Sequence, residues 1–107
     1  MQKKFLKEAD SFRKIATGFG SCFATDRITI EGHLVGYMYR EEPENQFDSG
    51  WRFFAGSESD EYANDPKNVE LYDVNTIANY DPSITPYLTE PSGVAFVRVG
   101  EKFVRDE

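Results

Sequence analysis

The sequence predicts an α+β domain built on a mostly antiparallel sheet, with an N-terminal helix, two short helices after the central strands and a C-terminal hairpin. Three observations carry that expectation. Short runs rich in aromatic and β-branched residues recur along the chain, and helical signals are confined to its start and to brief segments further on. The regular βα alternation of a nucleotide-binding fold is missing. At 107 residues the chain has room for one domain, and nine Phe, six Tyr and one Trp supply the apolar surface for its core.

Residues 2–14 read as an amphipathic helix, because Phe5, Ala9 and Phe12 share a face while Lys3, Lys4, Lys7 and Lys14 stay outside. Gly18 and Gly20 end it, which divides the chain into a helix over 1–18 and a single α+β domain over 19–107. Residues 20–25 form a short extended segment with Cys22 and Ala24 on one face, and Glu31-Gly32-His33 is a turn. Leu34 to Arg40 is a strand with Val35, Tyr37 and Tyr39 on one side and Leu34, Gly36 and Met38 on the other. Charge density and Pro43 interrupt it.

Ser49 to Gly56 is the most apolar stretch, a strand with Trp51 and Phe53 opposite Arg52 and Phe54. An acidic segment follows, with one helical turn at Asp60-Glu61-Tyr62-Ala63, and then a turn at 65–68. Val69 to Tyr72 is a brief edge strand. Asp73 caps a helix over 74–80, and Asp81-Pro82 stops it and opens a second short turn. Val94 to Val99 and Lys102 to Arg105 are the arms of a hairpin about Gly100-Glu101.

The net charge of −7 is unevenly spread. Residues 1–40 hold seven basic and four acidic side chains, whereas residues 41–90 hold two basic and twelve acidic ones. Nucleic acid and anionic membrane both require a basic footprint, so neither is an expected partner; a cationic protein surface is. No apolar run is long enough to span a bilayer, and Met1 to Glu8 contains no secretory core. A single cysteine forbids an intramolecular disulfide, and a reducing cytoplasm is the expected compartment.

Conventional catalytic equipment is sparse. His33 has no cysteine or carboxylate at motif spacing, and Cys22 reads as a buried structural thiol. The acids of 58–65 lack the alternation and central glycine of a calcium loop. A glycosidase pair needs a cleft holding two carboxylates about 5–9 Å apart, for which a chain this short has little room. No catalytic residue, cofactor or metal is expected. Asn75, Asn79 and Asp81 read as turn-fixing side chains, and Arg40 and Arg52 as arginines that tie down acidic loops. The segment 41–56 is more informative, since an aromatic strand between acidic loops combines anchors with electrostatic steering.

Three blocks, Gly36 to Pro43, Asp48 to Gly56 and Tyr72 to Pro82, resemble in this order the DUF2185 family, also described as Imm33-like immunity proteins of bacterial polymorphic toxin systems. The resemblance covers about residues 22–96. It implies a bacterial cytoplasmic protein that binds a cognate toxin domain and blocks it, without catalysis of its own. On that reading the expected contact residues are Glu42, Glu44, Asp48, Trp51, Glu58, Asp60 and Glu61. The alternative is a regulatory or small-ligand-binding domain with an aromatic pocket lined by Tyr37, Tyr39, Trp51 and Tyr80. A small hydrolase using Cys22 or His33 would require those two to meet in a cleft.

Overall fold

The computed structural model describes residues 5–7 and 12–106. Strand β1 (Ser21–Thr25) runs into a single helical turn, α1 (Asp26–Thr29), and β2 (Tyr37–Arg40) and β3 (Asp48–Phe54) follow. Next come α2 (Asp60–Ala63), β4 (Val69–Asp73), α3 (Val74–Tyr80), a 3-10 segment over Pro82–Tyr87, and the hairpin of β5 (Ala95–Val99) and β6 (Lys102–Arg105). The six strands form one sheet in the order β4-β1-β3-β2-β5-β6. Only the β1–β3 pairing is parallel, so the expected α+β class with a mostly antiparallel sheet holds.

Strand alternation decides the two faces. Trp51 and Phe53 point to the same side as Met38, Phe96, Cys22 and Ala24. That side is covered by Val74, Ile77 and Ala78 of α3 and by Ile84 and Leu88 from the 3-10 segment and its end. Trp51 and Phe53 stack at 5.9 Å, and the indole Nε1 donates to the Leu88 carbonyl at 3.2 Å. Enclosing rings of this size stabilises the fold by roughly 2–3 kcal/mol each. Asp73 caps α3 as expected, accepting from the Asn75 amide at 2.8 Å, and Ser59 caps α2 in the same way through Tyr62.

Strand β3 carries a bulge. Ser21 lies opposite Asp48 and Phe23 opposite Arg52, so β3 holds two more residues than β1 between those pairs. Gly50 sits there at φ +87°, and a Cβ in its place would run into the Glu41 carbonyl oxygen. The bulge shortens the path between Asp48 and Arg52, which meet through two parallel hydrogen bonds of 2.9 and 2.8 Å.

The chain differs from expectation at three places. Much of the helix expected over 2–14 falls outside the described residues, and the described parts, Phe5–Lys7 and Phe12–Lys14, are not helical. Residues 13–16 are held against α3, while the Leu6 amide donates to the Thr29 carbonyl of α1 at 2.9 Å. Asn75 Oδ1 accepts from the amides of Ile15 and Ala16, both at 2.8 Å, and Asn79 Oδ1 accepts from that of Arg13 at 2.8 Å. Both asparagine amides donate back to the Arg13 carbonyl. Second, α1 has no counterpart among the expected elements, because its four residues are too few to show helical spacing. Third, β2 begins at Tyr37 and not at Leu34. Val35 turns into the core, its amide donating to Asp81 at 2.9 Å and its carbonyl accepting from Arg98 at 2.7 Å. Asp81, beyond fixing its turn, forms a buried ion pair with Arg98 at 2.7 Å.

Candidate functional site

With α3 and the 3-10 segment on one side, the opposite face of the sheet is open apart from α2 at the edge of its central hollow. Its residues follow from register: Leu71 and Phe23 on the outer strands, Phe54, Tyr37 and Tyr39 in the middle, then Val97, Val99 and Val104. An open antiparallel face is ordinarily polar. Here Leu71 and Val99 remain 59% and 61% exposed, which makes this an apolar face of the kind that meets another molecule.

The centre of the face is hollowed. A groove of about 700 Å³ has Tyr37, Tyr39, Phe54 and Val97 as its floor and Glu58 and Asp60 on its wall. A second hollow of about 200 Å³ adjoins it, sharing Tyr39, Phe54 and Ala63 and adding Phe23, Glu41 and Glu44. The three floor rings form a triangle, with centroids 6.0 Å apart for Tyr37–Tyr39, 6.2 Å for Tyr37–Phe54 and 5.8 Å for Tyr39–Phe54. Tyr37 and Tyr39 are two residues apart on β2, and Phe54 pairs with Tyr37 across to β3.

Glu58 fixes the wall. Its carboxylate accepts from Thr25 Oγ1 at 2.5 Å and from the amides of Ala55 and Gly56 at 2.8 Å. Partial burial alone would raise its pKa, but these hydrogen bonds outweigh it and hold the group below its ordinary value, so it stays charged. Burial and the neighbouring Glu41 push the Tyr39 phenol upward, which keeps it neutral.

The expected contact residues divide. Glu42, Glu44, Asp60 and Glu61 are exposed. Glu44, Glu58 and Asp60 stand at the two hollows. Trp51 and Asp48 are corrections. Trp51 is wholly enclosed on the helix-covered face, because it shares its side of β3 with Phe53. Asp48 is buried against Arg52, whose Nε also meets Glu41 at 2.6 Å and whose guanidinium lies 4.8 Å from the Phe23 ring centroid. Of the four residues expected to line a pocket, Tyr37 and Tyr39 do so. Trp51 and Tyr80 pack instead with the core on the other side. Phe54 is the groove residue that the sequence reading left out. Its place opposite Trp51 was legible, but its register with Tyr37 was not.

Cys22 has no accessible surface, and burial together with Asp73 pushes its thiol upward, the reverse of what activates a nucleophile. His33 is exposed in its turn, 3.7 Å from Glu31. No group of three or more His, Cys, Asp and Glu among the described residues could hold a metal ion. No helix among them is long and apolar enough to cross a membrane.

This small α+β domain thus carries an aromatic hollow with acidic residues in its lining on the open face of its sheet. The chain belongs to the Imm33 immunity protein domain family, whose model matches residues 22–106. No curated protein and no solved structure matches it.

Proposed function

We propose that this Imm33 domain is an immunity protein that neutralises a cognate bacterial toxin by binding and occluding it, without chemistry of its own. The observation that carries the reading is the open sheet face, where exposed apolar side chains surround an aromatic groove next to the acidic loops of 41–47 and 57–65. Such a face supplies desolvated anchors at its centre and a charged rim that guides a basic partner into register. The test is co-expression with the product of the adjacent gene. Growth rescue together with a co-purifying complex supports the reading, and the lack of both overturns it.

A second reading is favoured by the groove itself, whose volume is that of a small-molecule site. Native mass spectrometry of the purified chain separates the two. A small molecule that co-purifies with the wild type and is lost on Tyr39→Leu would favour ligand binding.

A further inference from the structure

Resting on the reading of the open face as a docking surface, we infer that the groove receives a cationic side chain, arginine or lysine, projecting from the partner protein. The floor holds three aromatic rings with centroids about 6 Å from one another, Tyr37, Tyr39 and Phe54, and the lining includes the acidic residues Glu58 and Asp60. Rings attract a cation through their quadrupole, and nearby carboxylates add a net negative potential. An apolar guest would satisfy the rings but gain nothing from the negative potential. An anionic guest would be repelled.

Among the described residues, the arginines nearest the floor are engaged elsewhere: Arg52, opposite Tyr39, is held by Asp48 and Glu41. Arg98 is the one basic residue among the described residues that line the groove, and its guanidinium is turned to the other side of the sheet. There it binds Asp81 at 2.7 Å and Ser83 Oγ at 2.8 Å and lies over Phe103. Elsewhere the protein pairs guanidinium groups with rings repeatedly: Arg27 over Tyr62 at 4.6 Å, Arg40 over Trp51 at 5.7 Å and Arg52 over Phe23 at 4.8 Å. None of those rings belongs to the groove floor. The groove thus presents, toward the outside, the same ring-and-charge arrangement that the fold satisfies internally with arginine. At about 700 Å³ it also has room for the backbone flanking such a side chain.

The experiment is a nuclear magnetic resonance titration of the full chain with N-acetyl-arginine amide and, separately, with N-acetyl-citrulline amide, which matches it in size but lacks the charge. Saturable shifts of the Tyr37, Tyr39 and Phe54 ring signals are expected with the arginine compound only. Tyr39→Leu and Asp60→Asn should each weaken binding by at least about threefold, the size of an exposed cation–π or ion-pair contact. Asp60 is exposed, so its variant keeps the fold and remains informative if Tyr39→Leu does not. No saturable shift, equal response to citrulline, or shifts that map away from these rings would overturn the inference. Failure of the parent reading looks different: arginine binds in the groove, but co-expression gives neither rescue nor complex. Rescue with no arginine response would remove the subsite and leave the immunity reading standing.

Discussion

Asp48 accepts hydrogen bonds from the amides of Glu44 and Gly50 and from both terminal nitrogens of Arg52 while almost wholly enclosed. The Arg52 hydrogen bonds are the larger cause that holds its carboxyl well below the ordinary aspartate range, and burial opposes them. Because the folded value is depressed, the stability this group contributes is complete above its ordinary range and is lost as pH falls below about 4. Glu58 shifts in the same direction and acts in the same acid window. Replacing Asp48 by Asn should therefore lower stability at neutral pH by about 3 kcal/mol, the cost of breaking a buried pair, and flatten the acid limb. Urea titrations at a series of pH values check both. An acid limb as steep as in the wild type would show that Asp48 is not the group responsible. In the sequence this residue read as one more surface acid, because a bulge that pairs it with Arg52 leaves no local signature apart from Gly50.

At the scale of elements, most strands were legible because aromatic alternation and glycine or proline punctuation coincide. The Asp73 cap is legible from the residues around it, and Asp81-Pro82 is legible as the stop of α3. The N-terminal segment was not. Apolar residues at helical spacing are equally able to lie along a helix in an irregular path when side chains satisfy their backbone, and Asn75 and Asn79 do this for Arg13, Ile15 and Ala16. Asn75 belongs to the helix whose family block the sequence displayed, yet its partners lie about sixty positions away. Asn75→Ala should cost about 1–2 kcal/mol, since it removes three hydrogen bonds that are partly replaced by water. Amide exchange at Ile15 and Ala16 should accelerate far more than at Trp51 or Phe53. Uniform acceleration across the chain would mean that the segment is not held locally.

Across the whole molecule, the sheet separates two jobs. The helix-covered face carries the core, with Trp51 and Phe53, and the open face carries the groove and its acids. The concentration of charge in residues 41–90 was evident from the sequence, as was the aromatic strand beside it. Which side of that strand faces outward was not, because alternation gives two faces without saying which one the helices cover. Trp51 is therefore an expected contact, whereas Phe54 of that strand, with Tyr39 beside it on β2, lies half-buried on the open face. If the acidic rim steers a basic toxin, the association rate should fall by about tenfold or more between low and high salt, while the dissociation rate changes little. An association rate indifferent to salt would remove the steering.

Hydrogen–deuterium exchange on the complex with the adjacent gene's product tests the docking face most directly. Protection on binding should concentrate in Tyr37–Arg40 and in residues 54–63, with α3 unaffected. Protection confined to α3 and the Pro82–Tyr87 segment would contradict it.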